Sequence, residues 1–142
     1  MKIKVVCVGK IKERIYKERI YEYLKWISKD IKIELIAMKD NNKKNLDNNL
    51  KKHLNNNYLK ICVSQKGTQY SSKNFSKFLF DQDKDLGFFI GGPEGHSEII
   101  EKSIKNSLSL STFTMPHEMA LLVLIEQIYR ALQIKKGGSY HR

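Results

Sequence analysis

The sequence predicts one α/β domain built on a mostly parallel sheet. Three observations predict it. Short apolar runs alternate with amphipathic stretches along the chain. The run Leu86–Ile90 is apolar throughout, as expected of a central parallel strand. Neither an internal repeat nor a linker interrupts the 142 residues, so 1–142 reads as a single domain long enough to bury its own core.

Ile3–Val8 carries two β-branched valines and stops at Gly9, which predicts a first strand. Over Ile11–Asp30 the residues Ile11, Ile15, Ile20, Leu24 and Ile27 recur near helical spacing, with charges between them. Ile31–Met38 alternates at period two and predicts a second strand. From Lys39 to Asn57 asparagine and lysine dominate, and Leu46, Leu50 and Leu54 are four apart. That pattern fits either a solvated helix with a thin apolar stripe or a mobile loop, because asparagine is a poor helix former. Tyr58–Ser64 predicts a third strand, with Gly67 as a turn. Ser71-Ser72 can cap a helix running to about Phe80. After the strand Leu86–Ile90 comes a tight loop, Gly91-Gly92-Pro93-Glu94-Gly95. Ser97–Asn106 then predicts a helix capped by Ser97, and Leu108–Met115 a last strand. Pro116 suits the first turn of a final helix reaching about Lys136, where Gly137-Gly138 ends it.

Composition narrows the function. The chain carries 26 Lys and Arg against 15 Asp and Glu, a net charge of +11. Folding does not require that excess, which points to an anionic partner: nucleic acid, an acidic membrane surface or an acidic protein. The longest apolar run, Met119–Ile125, is far short of the roughly 20 residues of a membrane span. The N-terminus has no signal-peptide core or cleavage site, so a cytoplasmic location is expected. Cys7 and Cys62 each lie in an apolar run and read as small buried hydrophobes. The four histidines are scattered and form no metal-ligand pattern.

Ligands of open α/β sheets bind beyond the carboxyl ends of strands. Gly91–His96 offers a backbone that turns sharply and exposes amides, although a plain strand-to-helix turn would look the same. It matches neither a Walker loop nor G-x-G-x-x-G. The segment Leu108–His117, LSLSTFTMPH, either caps the next helix or wraps an adenine between Leu110, Phe113 and Met115. The tail Tyr140-His141-Arg142 is either a frayed end or a nucleotide contact made of an aromatic ring, an imidazole and a guanidinium. Met119–Ile125 is apolar on every side of its helix. It must therefore be buried all round, which in so small a protein implies a homodimer interface.

Taken together, FFIGGPEGH at 88–96, SLSLSTFTMPH at 107–117, and LIEQIYRALQI followed by YHR resemble the ribosomal large subunit pseudouridine methyltransferase H family of the SPOUT class. The starting IKVVCVGKIKE and GTQYSSKNF at 67–75 agree, so the resemblance spans nearly the whole chain. It implies a SPOUT-type α/β fold with a deep C-terminal trefoil knot, an exception to the usual unknotted chain. It also implies a homodimer that transfers methyl from S-adenosyl-L-methionine to N3 of a pseudouridine in 23S rRNA of the assembled 70S ribosome, without a metal. By resemblance the cofactor positions are Val63, Gly91, Leu110, Ser111, Thr112, Phe113, Thr114 and Met115. His117, Glu126, Tyr140, His141 and Arg142 fall near the reaction centre, with Glu126 either an orienting or a structural residue. The sequence departs from the pattern at Ser64, where the family has an acid, and at Leu121, where it often has arginine. The segment 39–57 is also shortened. Two other readings stay in view: a SPOUT enzyme for another RNA such as tRNA, and a non-catalytic ribosome-binding protein, the latter favoured by Ser64 and Leu121.

Overall fold

The computed structural model describes residues 1–39 and 42–142. Five strands alternate with five helices: β1 (Lys2–Val8), α1 (Arg14–Ile27), β2 (Lys32–Met38), α2 (Lys43–Leu54), β3 (Leu59–Gln69), α3 (Ser72–Asp81), β4 (Leu86–Ile90), α4 (Glu98–Ser103), β5 (Asn106–Ser109) and α5 (His117–Lys136). The strands form one sheet in the order β2-β1-β4-β3-β5, and every pairing is parallel.

Period-two alternation splits the central strands between two cores. Ile3, Val5 and Cys7 of β1, Ile61 and Val63 of β3, and Leu86, Phe88 and Ile90 of β4 join the larger core with α1, α3 and α5. Val6, Val8, Cys62 and Phe89 point the other way, onto Leu46 and Leu50 of α2 and Ile100 of α4. The Asn- and Lys-rich stretch is therefore helical across Lys43–Leu54. Its leucine stripe is used, and the Asn42 side chain accepts the Asn45 N–H at 3.0 Å as a cap. Asp40 and Asn41 of that stretch lie outside the described residues.

Several expected boundaries change. Helix α1 starts at Arg14, after an extended Glu13, and the Glu118 carboxylate accepts the N–H groups of Lys12 and Glu13 just before it. Ile15 is 81% exposed. The buried stripe is Ile20, Tyr23, Leu24 and Ile27, and Ile15 is out of phase with it. Gly67 is not a turn. Strand β3 continues to Gln69, and Val63 and Thr68 both pair with Leu108, so the residues between them bulge from the ladder. A Cβ on Gly67 would lie 2.7 Å from the Leu108 backbone, so only glycine fits this approach.

Helix α4 is shorter than expected, since Ile104 turns extended and is buried in the second core. Ser97 occupies the N-cap position but its hydroxyl makes no capping bond. Strand β5 ends at Ser109 opposite Gln69, where its partner β3 also ends, so 110–115 leaves the sheet. Pro116 is the N-cap residue of α5, and Gly137 closes that helix in the left-handed region at φ 71°. Helix α5 is not buried all round in one chain. Leu121, Leu124, Ile125 and Ile128 are buried, but Met119 is 37% exposed, and Leu122 and Val123 are half-buried. Among the described residues no helix is long and apolar enough to cross a membrane.

Candidate active site

A cavity of about 310 Å³ opens at the carboxyl end of β4, beside the β3 bulge. Five segments supply its walls, one of them α4 through Glu101. The middle of β3 and its bulge give Val63, Ser64, Gln65 and Lys66. The turn after β4 gives Gly91, Gly92, Gly95 and His96. The segment after β5 gives Leu110, Ser111, Phe113, Thr114 and Met115, and the start of α5 gives His117 and Ala120.

Each wall is held locally. Gly92 and Gly95 close the turn through a 2.9 Å backbone bond, with Gly95 at φ +83°. A Cβ on Gly91 would sit 2.7 Å from the Gly95 backbone, so the turn folds back only over a glycine. His96 Nε2 donates to the Val63 carbonyl at 2.6 Å and ties the turn to β3. In the 110–115 segment, the Ser109 hydroxyl donates to the Ser111 carbonyl at 3.0 Å, and Ser111 Oγ accepts the Phe113 N–H at 3.0 Å. The Thr114 hydroxyl donates to Gln65 Oε1 at 3.0 Å, bridging this segment to the β3 bulge. Phe113 is 81% exposed and stands at the mouth. His117 Nε2 faces the Lys10 carbonyl at a weak 3.5 Å. Gly9, at φ +100°, makes room for that ring: a Cβ there would be 2.9 Å from His117 Nε2.

A second polar cluster lies further along α5. Glu126 Oε1 accepts from Tyr140 Oη at 3.0 Å and from Arg130 Nε and Nη2 at 2.9 and 2.7 Å. Glu126 Oε2 accepts from Gln127 at 2.7 Å, and Gln127 Oε1 accepts the Ser72 hydroxyl of α3 at 2.7 Å. Arg130 Nη1 donates to His141 Nδ1 at 3.1 Å, and the Tyr23 and Tyr140 hydroxyls are 3.1 Å apart. The Arg130 guanidinium lies 4.8 Å over the Tyr140 ring, and Tyr140 meets Tyr129 edge-on at 4.8 Å. Burial, then the hydrogen bonds with Tyr23 and Glu126, push the Tyr140 phenol above its ordinary range.

The expected positions thus separate into two places. Val63, Gly91, Leu110, Ser111, Phe113, Thr114, Met115 and His117 line the cavity. Thr112 sits exposed on the same segment but does not line it. Glu126, Tyr140 and His141 form the second cluster, and Arg142 is exposed at the chain end. No residue of that cluster lines the cavity of the same chain. Sequence reasoning passed over Gly9, Gln65, Arg130 and Tyr23. Arg130, one helical turn after Glu126, carried a local signal. Tyr23 and Gln65 reach their partners only through the fold. Of the two family departures, Ser64 lines the cavity and Leu121 is fully buried in the larger core. No group of three or more acidic, histidine or cysteine side chains fit for a metal occurs among the described residues.

A parallel sheet with a glycine turn and a hydroxyl-rich segment at its carboxyl edge is the frame of a small-molecule-binding site. Residues 1–141 match the family model described as "Predicted SPOUT methyltransferase". A solved methylase family protein from Haemophilus influenzae shares the fold, with a TM-score of 0.60 at 10% identity over 99% of this chain and 70% of that one. The chain is 38% identical to ribosomal RNA large subunit methyltransferase H of Streptococcus uberis and 36% identical to that of Coprothermobacter proteolyticus, with all of each chain covered. It belongs to the SPOUT methyltransferases, and within them to the family of ribosomal RNA large subunit methyltransferase H.

Proposed function

We propose that this protein transfers a methyl group from S-adenosyl-L-methionine to N3 of a pseudouridine in 23S rRNA, acting on the assembled 70S ribosome in the cytoplasm. The observation that carries the proposal is the meeting of the β3 bulge, the Gly91 turn and the 110–115 segment around one cavity. Its volume of about 310 Å³ falls in the small-molecule range. Leu110 and Met115 offer apolar walls for an adenine, while Ser111 and Thr114 offer hydroxyls. The glycine at 91 lets the turn fold back against Gly95 and His96 at the cavity wall. When bound, the cofactor supplies a sulfonium methyl, an electrophile that needs alignment rather than a metal. Val63, Gly91, Leu110, Ser111, Phe113, Thr114 and Met115 are assigned to holding it.

The N3 proton must leave as the N–C bond forms. His117, beside the cavity, is assigned to receive it. Tyr140, His141 and Arg142 are assigned to the nucleotide, with Glu126 orienting them. Their distance from the cavity in their own chain supports a homodimer in which each tail serves the partner's cavity. The apolar surface left open on α5 at Met119, Leu122 and Val123 supports the same reading. Placement of β5 beside β3, with the tight backbone approaches at Gly67 and Gly91, supports a single domain whose C-terminal part is threaded as a deep trefoil knot. The net charge of +11 supplies salt-dependent attraction to rRNA.

The test is methyl transfer from labelled S-adenosylmethionine to unmodified 70S ribosomes, free large subunits and tRNA. Incorporation into 70S ribosomes alone, mapped to one pseudouridine, is expected. Transfer to tRNA instead would favour another RNA target. A folded protein that labels nothing would favour a ribosome-binding role, with Ser64 the first position to restore.

A further inference from the structure

We infer that Arg130 and Tyr23 are positioning residues that fix the C-terminal tail as a hydrogen-bond donor, so that His141 offers its Nε2–H to an acceptor oxygen of the RNA nucleotide and neither His141 nor Tyr140 takes the N3 proton. The inference deepens the proposed reaction and rests on it for its catalytic consequence.

The donor and acceptor inventory dictates the direction of each bond. A guanidinium only donates, so His141 Nδ1, 3.1 Å from Arg130 Nη1, must be the bare nitrogen. The neutral ring then carries its proton on Nε2. A second proton at Nδ1 would break the bond to Arg130 and set two cations against each other, while Nε2 is already occupied. A carboxylate only accepts, so Tyr140 donates to Glu126 Oε1 at 3.0 Å. The Tyr140 oxygen keeps a lone pair for the Tyr23 hydroxyl at 3.1 Å, and Tyr23 is buried on α1. An ionised Tyr140 would face the Glu126 carboxylate, which also binds Arg130 through two nitrogens. Every member of the cluster thus has its role set: Tyr23 donates to Tyr140, Tyr140 to Glu126, and Arg130 to both Glu126 and His141. The remaining ring nitrogen of His141, Nε2, is then a donor.

Two measurements test this. In the first, nitrogen NMR of histidine-labelled protein reads the His141 tautomer, assigned by the signal lost in His141→Gln. The expected result is a proton on Nε2 in the native protein and a loss of that preference in Arg130→Met. A native His141 protonated on Nδ1 would overturn the inference. In the second, His141→Gln and His141→Ala are compared in ribosome methylation. The glutamine amide can place an N–H near the Nε2 position, so it should keep kcat/KM within about tenfold of native, while alanine loses at least about tenfold more. Equal losses would overturn the donor role. Tyr23→Phe should raise KM for ribosomes severalfold at nearly constant kcat; a fall in kcat alone would count against positioning. Native protein that methylates nothing would refute the proposed reaction, yet the tautomer measurement would still decide the clamp.

Discussion

At its start, helix α5 meets the cavity through His117 and Ala120, where the surroundings are glycine turns and hydroxyls, with Lys66 and Glu101 also in the wall. Further along, the same helix presents Glu126 and Arg130 to a tail whose hydrogen bonds all have assigned directions. The first region is made by close backbone approach and leaves space. The second is made by paired charges and aromatic rings and leaves little freedom. The difference teaches how one helix serves two needs. A pocket needs shape, which glycine provides by removing side chains, whereas an orienting clamp needs side chains that saturate one another.

The cavity end should break most severely. Gly91→Val puts a Cβ 2.7 Å from the Gly95 backbone, which cannot yield as a flexible side chain would. Loss of at least about tenfold in S-adenosylmethionine affinity is expected by calorimetry, with a stability cost of about 1–3 kcal/mol. The clamp end should break differently. Deleting 140–142 should lower ribosome methylation by about a hundredfold, as misplacement of a substrate does. Cofactor binding should stay near native, and an equal fall in both would remove the division between the two regions.

The sheet between them sets an alkaline limit. Burial first, then Glu118, pushes the Cys7 thiol up to about 12, and burial first, then Glu101, pushes Cys62 up to about 11. Both thiols stay protonated in the fold while the unfolded chain begins to ionise near 9.0. Stability contributed below that pH is therefore lost as pH rises toward about 11 and 12. Denaturant melts across this window should show a falling midpoint. In Cys7→Ala the slope should ease by at most about 1.4 kcal/mol per pH unit. The smallest effect belongs to Ser72→Ala, which cuts the outer bond from α3 to Gln127. It should cost about 0.5–1.5 kcal/mol and leave methylation within about twofold. A larger catalytic loss would show that the clamp extends into α3.

Much of the fold could be read from local pattern. The run Leu86–Ile90 is β4 to the residue, and Ser71 caps α3 by accepting the Asn74 N–H at 3.1 Å. Errors arose where a distant partner decides. Gly67 looks like a turn residue, yet pairing with β5 keeps it in a strand. Apolar residues after Ser109 suggested a longer β5, yet a strand ends where its ladder ends. In the site, the 110–115 segment and the Gly91 turn announce themselves by composition. Tyr23 and Gln65 have no local mark, because their roles come from contacts with residues far along the chain.

By itself the sequence determined the alternation of strands and helices, the buried positions of the central strands, the basic charge and the motifs that point to the family. These follow from side-chain period, turn chemistry and residue type, all local properties. Only the tertiary structure decided the strand order, the bulge in β3 that carries Gln65 to Thr114, and the separation of the tail cluster from its own cavity. Those depend on which distant backbones pair and pack, and no local spacing encodes that choice.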